Sequence, residues 1–344
     1  SNNFSGGTVV FNDVDSLIVA AVSAATVDGV VFAATSGVTT NNGDVLINAD
    51  GALTLNQQVN AGTADMRLIA DGDITQSAAG TITADELGVR QQSVAGGNIA
   101  LGDANDVNTL AIRNNFSGGM AVFNDVDGLI IEAVSAASID GVTFAATSGV
   151  NTNNGDILVN ADGTLTLNQQ INAGTADVRL IADGDMTQSV TGTIIADELG
   201  VRQQSVAGGD IELGDANDVN TVSLRNNFSG GTVVFNDIDA LVVDSVSSAA
   251  VDGVVFAFTS GVTTNNGDIL INANGTLTNN QQISSGTADV RLMADGDITQ
   301  SITGTIIADE LSIRQQSAIG GNIALGDAND VNTLAIRNDF SGGS

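Results

Sequence analysis

The side chains in this sequence best suited to chemistry are oxygen donors. Gly102-Asp103-Ala104-Asn105-Asp106 recurs as Gly214-Asp215-Ala216-Asn217-Asp218 and as Gly326-Asp327-Ala328-Asn329-Asp330. Calcium takes six to eight oxygens from carboxylates, amides and backbone carbonyls. Asp103, Asn105 and Asp106 are therefore candidate calcium ligands, as are Asp215, Asn217 and Asp218, and Asp327, Asn329 and Asp330. The span is too short for an EF-hand loop. The same residues also suit a tight corner whose Asp and Asn side chains cap backbone groups. A second acidic pair, Asp85-Glu86, returns as Asp197-Glu198 and Asp309-Glu310. Paired carboxylates hydrolyse glycosides when they flank the bond to be broken. Neighbours on a strand, however, point to opposite faces, so this pair is expected to be solvated.

Other chemistries lack their reagents. The chain has no Cys, His, Trp, Tyr, Pro or Lys, and its nine basic residues are all Arg. A Ser-His-Asp triad and Cys/His zinc sites are excluded. Against those nine Arg stand 40 Asp and Glu, a net charge of −31. Nucleic acid needs clustered cations, so it is not an expected partner. No apolar run has the ~18 residues of a membrane span. With 42% hydrophobic residues the composition departs from acidic disorder. The apolar set is Val, Ile, Leu and Ala with few rings, which suits a narrow core.

The elements that position these residues are repeated. Asn3-Phe4-Ser5-Gly6-Gly7 returns at Asn115, at Asn227 and, as Asp339-Phe340-Ser341-Gly342-Gly343, at the end, each 112 residues further (115 − 3). The units are 1–115, 116–227 and 228–344, all within one continuous array. A finer period lies inside them. Ala49-Asp50-Gly51 is echoed by Ala70-Asp71-Gly72, and Arg67, Arg90 and Arg113 are 23 apart (90 − 67), about the length of one solenoid coil. Short runs such as Val45-Leu46-Ile47, Leu53-Thr54-Leu55 and Ile99-Ala100-Leu101 are rich in strand formers, and Gly, Asn and Asp separate them. Position 100 becomes Glu at 212 while residues 99 and 101 keep apolar equivalents. The strand thus turns its middle residue to water and the flanking ones inward.

These patterns predict an all-β chain: a right-handed parallel β-helix with about five coils per unit and about fifteen in all. Three tandem immunoglobulin-like sandwiches are the alternative, since ~100 residues is their usual size. The rings of Phe32, Phe144 and Phe256 are expected in the core, and Phe4, Phe116 and Phe228 are expected to plug corners.

Gly72-Asp73-Ile74-Thr75-Gln76-Ser77, Gly97-Asn98-Ile99-Ala100-Leu101-Gly102 and Asn105-Asp106-Val107-Asn108-Thr109-Leu110 resemble the repeats of filamentous-haemagglutinin-like exoproteins. The resemblance implies a β-helical shaft, export by two-partner secretion, a place outside the cell at the bacterial surface, and a role in adhesion or biofilm. Three functions are weighed. The first is a structural shaft whose partners are further copies of itself or of the same array. The second is a calcium-stiffened adhesin module recognising surface glycans or a host surface. The third is a β-helical polysaccharide-degrading enzyme, which the missing Lys and His disfavour. A non-enzymatic shaft without cofactor, other than calcium at the turns above, is the expectation.

Overall fold

The computed structural model describes residues 2–317 and 320–339; the last Phe-Ser-Gly-Gly recurrence, residues 340–343, lies outside them. The described residues form strands and turns with no helix, stacked in parallel coils as a β-solenoid of about 13 turns. Antiparallel pairing is confined to short hairpins such as Ala25–Val27 with Val30–Phe32, which sets the immunoglobulin-like alternative aside. Among the described residues no helix is long and apolar enough to cross a membrane.

Two compact units divide the chain. The first comprises residues 1–159 with 251–254, the second residues 160–250 with 255–344. In the first, one ladder runs Val9, Val45, Met66, Leu87 and Leu110. A second runs Leu17, Leu53, Ile74, Ile99 and Ala121. Val38, Val59 and Ile82 make a third. Alternate residues point inward, so Leu53, Leu55, Ile74, Ile99 and Leu101 are fully buried while Thr54 and Thr75 meet outside, Oγ1 to Oγ1, at 3.3 Å. Like stacks on like because parallel pairing superposes equivalent positions of successive coils. The second unit repeats the pattern, with Ile269, Val290 and Leu311 in one ladder and Leu277 and Ile298 in another.

The turn count is below fifteen because one coil per repeat is long. Val9 to Val45 spans 36 residues, against 21 from Val45 to Met66. The surplus is a hairpin that leaves the stack after Val19, closes with Thr35–Ser36 antiparallel to Ala21–Val22, and rejoins the stack at Val38. Its tip is Asp28-Gly29, both with positive φ, 50° and 81°, as a two-residue turn of the I′ kind requires. Four turns therefore run from Val9 to Leu110. The second copy of Val9, Ala121, comes later and pairs with Ile99 on a different ladder. Sequence equivalents 112 apart thus occupy different sides of the stack.

The second hairpin leaves after Ile131, paired with Leu110, and returns at Val150, paired with Ile112. Two residues on the receiving strand span the whole excursion. The hairpin has no room inside the coil and folds over its outer face.

Candidate functional site

Two polar or mixed sites recur in each unit. The first is an internal corner. The long strand Ile99–Ser117 bends between Leu101 and Asn105, where its register with Ala121–Asp125 shifts. A bend leaves backbone groups without ladder partners, and buried ones must be satisfied by other means. Asn105, fully buried, does this. Its Nδ2 donates to the carbonyls of Leu101 (3.0 Å), Asp103 (3.0 Å) and Asn124 (3.1 Å). Its Oδ1 accepts from the Ile82 N–H (3.0 Å) and from Gln76 Nε2 (2.5 Å). Gln76 comes from the coil below, and its Nε2 also donates to the Gly80 carbonyl at 2.8 Å. On the next coil Asp125, in register with Asn105 and fully buried, accepts from the N–H groups of Val107 (3.0 Å) and Asp127 (3.2 Å). Gln188, Asn217 and Asp237 rebuild the corner in the second unit, with Asn217 accepting from Gln188 Nε2 at 2.6 Å and Val219 N–H donating to Asp237 at 3.0 Å. Gln300 and Asn329 do so again at 2.6 Å.

Burial pushes the carboxyl of Asp125 up to about 8, the neighbouring Asp127 carboxyl reinforcing burial while backbone N–H groups oppose it. Asp237 is pushed up to about 7 by the same desolvation.

This arrangement divides the candidate calcium ligands. Asn105, Asn217 and Asn329 turn inward and spend their amides on the corner. Asp106 is exposed. Asp103 is partly covered and its carboxyl is raised by burial, with Asp252 adding repulsion. Asp215, Asp218, Asp327 and Asp330 occupy the equivalent outward places. Among the described residues no three carboxylates converge as a metal-binding group. Asp85 accepts from Asn108 Nδ2 at 2.8 Å, and Glu86 is raised mainly by burial, with Asp65 and Asp85 adding repulsion. Both lie outward between buried Ala84 and Leu87, where the register skips residue 85, so the opposite facing expected of strand neighbours does not hold at this bend.

The second site lies outside the coils, beneath the hairpin. In register, Val10, Leu46, Arg67, Gly88 and Ala111 form one outward row, and Ile69, Arg90 and Arg113 another. The three Arg spaced by 23 residues therefore do not form one column: Arg90 stacks on Arg113, while Arg67 sits one row over and pairs with Asp65 at 3.1 Å. The hairpin residues Val134 and Phe144, both fully buried, close over Leu46, Ile69 and Ala111. The Phe144 ring lies between two guanidinium groups, 6.0 Å from Arg67 and 5.9 Å from Arg90. Such contacts are worth about 0.5–2 kcal/mol, more when desolvated. Arg67 Nε donates to the Ser135 carbonyl (3.2 Å) and Arg90 Nη1 to Thr147 Oγ1 (2.9 Å). Burial, then Arg113, draws the Arg90 pKa down. Gly88 leaves the space for the ring, since a Cβ there would stand 2.4 Å from Phe144 Cζ. In the second unit Phe256, also fully buried, sits over Gly200, and Arg179 Nε donates to the Ser247 carbonyl at 3.2 Å.

Phe144 and Phe256 are therefore buried as expected, but in this outer seat and not in the coil interior. Phe32 is 52% exposed and Phe4 77%. Phe116 and Phe228 are half-buried at the surface turns before Gly118 and Gly230, so this group does not plug the interior.

Replacing Phe144 with Ala should cost about 3 kcal/mol or more at the seat. The loss is expected to be local. Amide exchange should quicken in Ala137–Ile139 and Val142–Phe144 while the Leu87–Leu110 ladder keeps its protection. Equal deprotection of both would show instead that the seat and the coils unfold as one.

No family model, curated protein or solved structure matches this chain.

Proposed function

We propose that this chain is a structural shaft segment of a bacterial fibre or adhesin outside the cell, extended by stacking further coils of the same kind end to end. One observation carries the reading: the ladders pass from one 112-residue repeat into the next without interruption, Ile99 pairing with Ala121 and Ile211 with Val233, so each repeat is built to be followed by another of its kind. The work of such a part is mechanical: each coil adds a ladder and a core layer to its neighbours. The likeness of its repeats to exported surface proteins supports an extracellular location.

Sedimentation velocity across a hundredfold dilution, with electron microscopy, tests the reading. End-to-end species that lengthen with concentration are expected. Purified chain that stays monomeric at every concentration would sink stacking between copies.

A further inference from the structure

The long strand Ile99–Ser117 shifts register a second time, against Val150–Asn153. Arg113 pairs with Asn151 and Ser117 with Asn153, so four steps (117 − 113) run beside two (153 − 151). Such a bulge interrupts the ladder and re-aims side chains. Here it opens a groove of about 380 Å³, lined by Arg113, Asn115, Asn151, Thr152 and Asn153 and by Val94 from a turn. Arg225 and Ser229 slip in the same way against Thr263 and Asn265. The groove there is about 600 Å³, with Val206 in the place of Val94. Both valines are 77% exposed. Both grooves lie well inside the sequence, within residues 94–153 and 206–265.

These grooves hold uncompensated positive charge in a very acidic chain. Arg90 stacks in register with Arg113, and Arg202 with Arg225. Among the described residues none of the four makes an ion pair. Arg113 and Arg225, both exposed, donate from Nε to a neutral amide oxygen, Asn115 Oδ1 at 2.8 Å and Asn227 Oδ1 at 2.9 Å. In the third repeat the equivalent residue is Asp339. Its carboxylate accepts from Arg337 Nε at 2.6 Å and lies 3.7 Å from Arg314 Nε. One carboxylate thus fits between two stacked guanidinium groups, and in the other two repeats the chain supplies only an amide.

We propose that the grooves at Arg113 and Arg225 each bind a carboxylate-bearing sugar, a uronate unit within an otherwise neutral glycan. The Nη atoms of the arginine take the carboxylate. Asn151, Thr152 and Asn153 in one groove, and Thr263, Thr264 and Asn265 in the other, offer amides and hydroxyls to the ring hydroxyls. The exposed valine meets a C–H face of the ring. A net charge of −31 repels a polyanion, so an isolated acidic unit is the better match. The site is independent of stacking between copies.

Methyl glucuronide titrated into the full chain, followed by amide NMR shifts, tests the site. Shifts are expected at Arg113, Asn151–Asn153 and their equivalents. Methyl glucoside lacks the carboxylate and acetate lacks the ring, so each should bind at least about tenfold more weakly, the worth of one charge-assisted hydrogen bond. Asn115→Asp with Asn227→Asp gives each groove the internal carboxylate that position 339 already has. That variant should fold and lose glucuronide binding, as should Arg113→Gln with Arg225→Gln. Acetate binding as tightly as glucuronide would reduce the grooves to sites for an adventitious anion only. Glucoside binding as tightly would remove the carboxylate from recognition. Either result overturns the proposal, as does an absence of shifts or binding that survives in Asn115→Asp with Asn227→Asp. None of these outcomes bears on self-association, which sedimentation reads separately.

Discussion

Raising the pH from 6 to 9 is expected to destabilise this protein by several kcal/mol, and almost all of the change should trace to two carboxyls. Asp125 and Asp237 are held up to about 8 and about 7 by burial, against an ordinary 3.8. The unfolded chain releases these protons near pH 4, whereas the folded protein keeps them to neutrality and beyond. Between those limits the folded state binds more protons, so stability falls as pH rises. Below pH 4 both states are protonated and the dependence vanishes. Each tenfold difference in proton affinity between the two states is worth about 1.4 kcal/mol, and the full cost is reached once pH exceeds the folded pKa. The composition makes this legible: no His, Cys, Tyr or Lys side chain is present to titrate in this window. The groups facing Asp125 are the Val107 N–H, the Asp127 N–H and carboxyl, and the stacked Asn105; Val219, Asp239 and Asn217 face Asp237. Asp125→Asn with Asp237→Asn mimics the protonated form and should flatten urea midpoints between pH 6 and 9. A wild-type midpoint that does not move, or a variant slope equal to the wild type, would refute the assignment.

The parallel stack is readable in the sequence because its inner period is set by the coil. Ala49-Asp50-Gly51 and Ala70-Asp71-Gly72 match at 21 residues, the register the ladder has. The spacing of 23 misleads in part. It holds from Arg90 to Arg113, whose coil is longer, and fails from Arg67, which pairs with Gly88. The hairpins are hidden although their signal is present. Val27-Asp28-Gly29-Val30 carries Asp-Gly between β-branched runs, the strongest short-range mark of a hairpin. Val, Ile and Phe there read as one more coil, because an outer seat and an inner core select the same apolar residues. Glycine at 88 and 200 against Ser at 312 has no meaning until a ring is found facing it. The corner is ambiguous for a chemical reason. An Asn that caps a bend and an Asn that ligates a cation use the same amide, and what distinguishes them is the direction of the side chain. That direction is fixed by Gln76, 29 residues away.

Substituting Asn105 with Ala should therefore cost about 4 kcal/mol or more. The amide joins two coils through Gln76 Nε2 and the Ile82 N–H and holds the carbonyls of Leu101, Asp103 and Asn124. Each buried group left without a partner costs about 1–3 kcal/mol, and a small cavity adds to it. Asn105→Asp is the sharper variant. It keeps an oxygen for Gln76 and Ile82 but loses the three donated bonds, and it sets a second carboxyl beside buried Asp125. Its destabilisation should be larger at pH 8 than at pH 5, because protonation restores one donor and removes the like charge. The same variant separates the corner from a calcium site. Were Asn105 a ligand beside Asp103 and Asp106, a carboxylate in its place would bind calcium more tightly, and calcium would raise the melting temperature of Asn105→Asp above that of Asn105→Ala. The inward amide, spent on the corner's carbonyls, gives the opposite expectation: neither variant is rescued by millimolar calcium, and chelator leaves the wild type unchanged. A calcium-dependent recovery confined to Asn105→Asp would return Asp103, Asn105 and Asp106 to the role of ligands.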